Sequence, residues 1–242
     1  GGSGDGAAIV VDGGRSNRIA IRPDSHVSAL SGQAVISTFG EDELYNSGTL
    51  VGDINLSHGG TSERNFFANE AKGNYISAGS GTVDPGKGGS FLNLGTFDVG
   101  GVGTIATATI KGTHAELRGT LRVDVNGVAP QGVPNSDLLK ASKITIAGVN
   151  VRPYAIEGLL PDSRFTVVSD SPMHVAKAAT AGVSPANPIT WALSQGFHSI
   201  SISPSGADFV GKAPGKLTDT EHSLLSSLQQ AWDARDAEVA GT

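Results

Sequence analysis

Gly119-Thr120-Leu121-Arg122-Val123-Asp124-Val125-Asn126-Gly127 decides the fold. Apolar Leu121, Val123 and Val125 alternate with polar Arg122, Asp124 and Asn126, so a strand here buries one face and wets the other. Val123 falls on the buried face. Arg122, one position over, falls on the wet one, where replacement is expected to cost little. Asn126-Gly127 then signals a turn. Further strand-sized runs follow at Ser136-Asp137-Leu138-Leu139, Ile144-Thr145-Ile146 and Phe165-Thr166-Val167-Val168, the last after the turn signal Leu160-Pro161-Asp162.

The opening Gly-Thr-apolar signature repeats upstream, at Gly48-Thr49-Leu50, Gly81-Thr82-Val83 and Gly95-Thr96-Phe97. Two copies share more: Asn46-Ser47-Gly48-Thr49-Leu50 and Asn93-Leu94-Gly95-Thr96-Phe97 both read Asn-x-Gly-Thr-apolar. They stand 47 residues apart (95 − 48), and the next Gly-Thr follows 24 later (119 − 95), which suggests a stacked unit of about 24 residues. Gly81 falls off that register.

Composition points the same way. Of 242 residues 34 are Gly, aromatics are 5% and charged residues 17%, a mixture that disfavours a helical bundle and favours short strands joined by tight turns. With no Cys there is no disulfide, zinc-thiolate site or thiol nucleophile. The net charge of −6, without a basic cluster, argues against a nucleic-acid partner. No apolar run approaches the roughly 18 residues of a membrane-spanning helix. The opening Gly1-Gly2-Ser3-Gly4-Asp5-Gly6 reads as a linker or an internal cut, so the chain reads as a piece of something longer.

Along the chain, Ala7–Val11, Ile19–Ile21 and Val27–Ile36 are strand-sized pieces, Glu41-Asp42-Glu43 reads as a solvated acidic loop, and His58–Gly89 is polar with short rungs. Thr104–Ile110 alternates as a strand. Ser169–Pro188 reads as a long loop, followed by a hairpin of Ile189–Leu193 and His198–Ile202 through Gln195-Gly196. The end changes character. Thr218-Asp219-Thr220-Glu221 has the form of a capping box, and Leu224, Leu225, Leu228, Ala231 and Trp232 recur at helical spacing, so a helix is expected over Asp219–Ala237, standing apart from the β-body after the Pro214-Gly215 break.

Fragments that mimic catalytic motifs fail on context. Gly81-Thr82-Val83-Asp84-Pro85-Gly86-Lys87-Gly88 is one residue from a P-loop, but Gly88 replaces the magnesium-binding hydroxyl and no helix follows. Gly101-Val102-Gly103-Thr104-Ile105-Ala106 imitates a dinucleotide fingerprint yet continues as a strand. Ala192-Leu193-Ser194-Gln195-Gly196, near His198, faintly resembles a nucleophile elbow but turns from strand into strand. Gly1–Asp5 approximates one calcium-binding nonapeptide with its Asp misplaced, and the six His lack ligand spacing. No catalytic residue, metal ligand or cofactor is therefore assigned. A polysaccharide-cleaving β-helix could still assemble Asp53, Asp84 and Asp98 across neighbouring rungs.

The Asn-x-Gly-Thr copies, the run from Gly119 to Asn126, Ser136–Leu139, Ile144–Val151 and Phe165–Val168 together resemble the C-terminal passenger region of bacterial type V autotransporters. The likeness covers roughly Ile19 to the end and is densest over Gly119–Ile202. It implies an all-β right-handed parallel β-helix (solenoid) with a C-terminal β cap and a short C-terminal α-helix. The implied organisation is a linker at 1–6, β-helix rungs at 7–118, an autochaperone-like capping region at 119–210 and a helical linker at 211–242, leading toward a β-barrel that this chain lacks. Residues expected to carry folding of the cap are Gly119, Leu121, Val123, Val125, Leu138, Ile144, Ile146, Val167 and Trp191. The long loop Ser169–Pro188 departs from the family pattern. The resemblance further implies a non-catalytic stalk or adhesin at a Gram-negative cell surface, exported through the outer membrane. Its partners would be its own barrel translocator and a host-surface protein or glycan, and the fragment itself would not insert into the membrane. The alternative is a β-helix polysaccharide hydrolase or lyase. About eight rungs at 4.8 Å would make a rod of roughly 40 Å.

Overall fold

The computed structural model describes residues 6–57, 64–170, 173–182, 187–213 and 215–240. The chain is a parallel β-helix of six complete turns, closed at its C-terminal end by an antiparallel hairpin and followed by one helix. After β1 (Ile9–Val11), each turn contributes a strand to each of three faces. The first face is the seven-stranded sheet formed by β2 (Ser16–Ile21), β4 (Glu41–Asn46), β6 (Phe66–Asn69), β9 (Ser90–Asn93), β12 (His114–Leu117), β15 (Ile144–Ala147) and β18 (His174–Lys177). The long β3 (His26–Ser37) and β5 (Thr49–Asn55) each bend across both remaining faces, which is why those faces form one continuous sheet. Beyond them the second face continues through β7 (Asn74–Ile76), β10 (Thr96–Asp98), β13 (Thr120–Val125), β16 (Asn150–Ala155) and β19 (Thr180–Ala181). The third face continues through β8 (Thr82–Asp84), β11 (Thr107–Ile110), β14 (Leu138–Ala141) and β17 (Phe165–Ser169).

The 24-residue unit is real in the middle of the coil. In-register inward residues step from Leu44 to Phe67, Phe91 and Ala115 by 23 (67 − 44), 24 (91 − 67) and 24 (115 − 91), then by 29 to Ile144 (144 − 115) as loops lengthen. Gly81 fell off the register because Thr82 opens a strand of the third face, whereas Thr49, Thr96 and Thr120 open strands of the second. The copy between Gly48 and Gly95 is Asn69 with Gly73-Asn74, disguised by two extra corner residues and by Asn in place of Thr.

Those glycines sit where the corner of one turn rests on the next. A Cβ on Gly119 would lie 2.1 Å from the Gly95 carbonyl oxygen, and one on Gly95 would lie 2.2 Å from that of Gly73. These contacts are with backbone, which cannot step aside, so the residue is Gly for closeness of approach. The hydrogen bond from Thr120 N to Gly95 O, 2.8 Å, continues the ladder through the same corner.

Inward side chains form one core along the axis, each layer about 4.8 Å from the next. Its middle is aromatic: Phe67 stacks 5.0 Å from Phe91, Tyr75 stacks 4.9 Å from Phe97, and the two pairs meet edge to face. Toward the C-terminus the bulk falls to Leu121, Val151 and Ile146. Among the residues expected to carry the cap, Leu121, Val123, Val125, Ile144, Ile146 and Val167 are fully buried and Trp191 nearly so. Leu138 is the exception: it is half-buried on the outward side, and its neighbour Leu139 fills the core, because β14 aligns Leu139 with inward Ala108 and Val168.

Four further expectations are corrected. Glu41-Asp42-Glu43 opens β4 rather than forming a loop; Asp42 points inward, accepts from Asn17 Nδ2 at 2.8 Å, and its N–H donates to Asn65 Oδ1 at 2.8 Å. Ser169–Pro188 contains β18 and β19, which extend two faces into a partial seventh turn; the side chains of β18 are exposed, so no apolar alternation announced it. Thr104 and Ile105 lie in a loop, and strand begins at Thr107. Six turns give a coil of about 29 Å rather than 40.

The parallel ladder stops at the expected hairpin. β20 (Ile189–Gln195) and β21 (Ser199–Ala207) pair with each other, and β21 lies antiparallel on β17. Trp191 closes over Phe165, ring centres 6.2 Å apart. The helix α1 (Asp219–Ala240) begins at the expected capping box: Glu221 Oε2 accepts from Thr218 N at 2.8 Å, and Glu221 N donates to Thr218 Oγ1 at 3.3 Å. It does not stand apart. Trp232 is buried against Phe209, centroids 6.0 Å apart, and Arg235 reaches Asp162 at 3.3 Å. Gln229 accepts from Phe209 N and donates to Ala207 O, each over 3.0 Å, so its amide acts as one more peptide unit at the end of β21.

Candidate functional site

Of the three acidic positions weighed for a glycan-cleaving β-helix, the fold brings two together. Asp53 and Asp84 line a shallow groove of about 160 Å3 on the third face, with Gln33, Asn55, Thr82 and Lys111. Both carboxylates are engaged. Asp53 Oδ1 accepts from Thr82 N at 2.8 Å, while Asp84 accepts from Gly86 N at 3.0 Å and pairs with Lys111 at 3.3 Å. Asp98 ends β10 on the second face and belongs to a different cluster.

Among the described residues that cluster gathers three of the five buried carboxylates, Asp98, Asp124 and Asp137. Alternation sends Arg122 outward from β13, and the ladder sets it beside Asp98, whose Oδ2 it meets at 2.5 Å. Asp124 continues the same outward side, yet loop 99–106 and loop 126–137 cover it, and Asp137 enters from the end of the second loop. Asp124 and Asp137 have no exposed surface and Asp98 almost none. Asp137 Oδ1 accepts from Ala106 N at 2.7 Å and Oδ2 from Asp124 N at 2.6 Å. Asp124 Oδ2 accepts from Gly103 N and from Thr104 N, the latter at 3.1 Å. Asp124 Oδ1 has no hydrogen bond, and Arg122 Nη2 stands 3.5 Å from it.

The glycine loop that imitated a dinucleotide fingerprint is thus an anion cradle filled from within. With positive φ at Gly100, Gly101 and Gly103, the loop sets the N–H groups of Gly103 and Thr104 onto Asp124, where a nucleotide-binding loop would turn them onto phosphate, while that of Gly100 meets Ser77 Oγ at 2.9 Å. Burial raises all three carboxyl groups above the ordinary range, Asp137 to about 7, and the hydrogen bonds from backbone and the nearby Arg122 only partly offset it. Side chains this enclosed meet no substrate, so the cluster holds loops rather than performing acid–base work on a glycan. Sequence could have flagged it: Asp98, Arg122 and Asp124 fall on one outward side once the 24-residue register is applied.

A third region flanks α1, where two apolar grooves of about 460 and 400 Å3 meet at Phe209. Leu224 and Leu228, exposed at 61% and 46%, leave part of the helix stripe uncovered. Among the described residues no group of three or more His, Cys, Asp or Glu is arranged to hold a metal ion, and no helix is long and apolar enough to cross a membrane. The approximate calcium nonapeptide at Gly1–Asp5 lies outside the described residues. No protein-family model matches the chain, and no curated protein matches it.

Proposed function

We propose that this chain is the C-terminal part of a non-catalytic, surface-displayed passenger of the autotransporter kind, a stalk or adhesin whose C-terminal turns and cap promote folding of the rest. The observation that carries this reading is the hairpin β20–β21: it reverses strand direction on β17, ends the parallel ladder and is followed directly by a capped helix. A growing solenoid needs one finished end on which further turns can add, because an open strand edge is a template for wrong pairing. In this reading α1 leads to the chain's own outer-membrane β-barrel, the location is a Gram-negative cell surface, and a host-surface protein or glycan is the further partner. The engagement of Asp53, Asp84 and Asp98 in internal bonds favours a non-enzymatic role.

One observation speaks for a polysaccharide hydrolase or lyase: Asp53 and Asp84 share an open groove. Two assays separate the readings. Fused ahead of an outer-membrane barrel in a Gram-negative host, the chain should become accessible to external protease, and a Trp191→Asp variant should lose most of that display. A panel of neutral and acidic polysaccharides should show no depolymerisation. Turnover abolished by Asp53→Asn or Asp84→Asn would replace the stalk with an enzyme, and display that ignores the cap would remove its role in folding.

A further inference from the structure

Asp98, Arg122, Asp124 and Asp137 come from two successive turns and hold the loops above them, at the point where the regular coil passes into its last turns before the cap. Three carboxyl groups share one guanidinium. Apart from Asp137 itself, loops 99–106 and 126–137 contribute no charged side chain. From β16, Arg152 stands in register beside Arg122, and the Tyr154 ring lies 5.3 Å from the Arg122 guanidinium. From β7, Ile76 is aligned with Asp98, beside the buried Tyr75. Among the described residues no second cation pairs with these carboxylates, and one buried oxygen, Asp124 Oδ1, faces no donor closer than Arg122. Carboxylates crowded out of water in this way cannot all ionise cheaply.

We propose that this cluster is a proton lock, which retains one proton near neutral pH and, on releasing it to water, loosens the glycine loop 100–106 and with it the junction between coil and cap. The proton belongs to the cluster and not to one oxygen, as in any set of strongly interacting acids. With it bound, a single negative charge remains after Arg122 is counted, and the N–H groups of Gly103, Thr104 and Ala106 keep their acceptors. Without it, Asp124 and Asp137 are both charged within one buried network, joined through the Asp124 N–H. The sign follows from the direction of the shifts. Folded-state values above the unfolded ones mean that the stabilisation is complete below the ordinary carboxylate range and is lost as pH rises through about 7. This is opposite to the usual loss of stability in acid, and it does not depend on the chain being a surface stalk.

The lock is tested by urea unfolding of the full chain at about pH 5.5 and about pH 8.5, with the wild type beside Asp124→Asn and Asp98→Asn. In each variant the amide oxygen retains an acceptor, for Gly103 and Thr104 or for Arg122, while one negative charge is removed. The wild-type folding constant should fall by at least about tenfold between the two conditions, one pKa unit being worth a factor of ten. In both variants the fall should shrink to about threefold or less, which separates the cluster from the six His of the chain. Asp side-chain 13Cγ shifts of the wild type give an independent reading that survives if a variant fails to fold: one buried Asp should titrate between about pH 6 and 8. A wild type equally stable at both pH values, an unchanged fall in Asp98→Asn, or titration of every Asp below about pH 5 would overturn the proposal.

Discussion

Asn69 donates its side-chain amide to Asn93 Oδ1 over 2.8 Å and accepts from Asn46 Nδ2 over 2.9 Å, so the corner between the first two faces is braced by a buried amide ladder across three turns. Asn69 Nδ2 also meets Thr96 O at 2.8 Å, which ties the ladder to the adjoining strand. Leu117 and Ile21 occupy the same column above and below, so the polar stretch has apolar ends.

Removing the middle rung should be expensive. Asn69→Ala strands the Asn46 donor and the Asn93 acceptor without water, at about 1–3 kcal/mol for each buried group left unpaired. The urea midpoint should fall by an amount equivalent to about 3 kcal/mol, whereas Leu92→Ala, at a half-exposed outward position, should cost well under half of that.

Gly119→Ala tests the corner stacking. Its new methyl would press on the Gly95 carbonyl, and overpacking against backbone typically costs about 1–3 kcal/mol. Gly132→Ala, in open space but at φ 85°, should lose only about 1 kcal/mol of stability from backbone strain. Thermal unfolding of the pair gives the comparison.

Arg122 is where alternation alone misleads. An outward residue on a wet face should tolerate replacement, yet Arg122 is the only cation between Asp98 and Asp124 among the ion pairs of the described residues. Arg122→Asp adds a fourth carboxylate to the cluster and should cost about 3–5 kcal/mol, the scale of breaking a buried pair. Arg118→Asp, whose partner Glu116 lies at the surface, should cost less than about 1 kcal/mol. Denaturant titration near neutral pH checks both.

The helix is held by few contacts, so it should detach without unfolding the coil. Gln229→Ala together with Trp232→Ala should raise hydrogen exchange across the first turns of α1 while protection in β13–β17 stays unchanged. Acid should fray the start of α1 as well. The hydrogen bonds from Thr218 lower the Glu221 pKa, so the capping box is stabilising above the ordinary carboxylate range and is lost as pH falls through the lowered value.

Much of the fold was legible because its two periods are written plainly. Alternation in Leu121, Val123 and Val125 gave strands, Gly-Thr spacing gave the turn length, and Thr218-x-x-Glu221 gave the helix start. What stayed hidden has physical causes. β18 exposes every side chain, so it carries no hydrophobic signal, and backbone pairing with β15 alone defines it. Leu138 and Leu139 are equally apolar, and only the register to Ala108 tells which one is inward. The place of Asp137 in the charge cluster needed three-dimensional register as well: it lies 13 residues beyond Asp124, and the long loop between them disguises their contact. Docking of α1 depends on Gln229 and Phe209 as well as on Trp232, and of these only Trp232 belongs to the helix's apolar stripe.

The central claim is that the coil is held from its C-terminal end, and hydrogen exchange along the whole chain tests it most directly in two variants. Val123→Asp puts an unpaired carboxylate into the fully buried core beside the cap, at a cost of several kcal/mol against a typical margin of about 5–15. Deleting 1–57 removes the first two turns and leaves the cap untouched. The account predicts that Val123→Asp abolishes protection as far back as β2–β5, while the deletion leaves β13–β21 as protected as before. Protection persisting in β2–β5 of Val123→Asp, or collapse of β13–β21 on losing the first two turns, would contradict it.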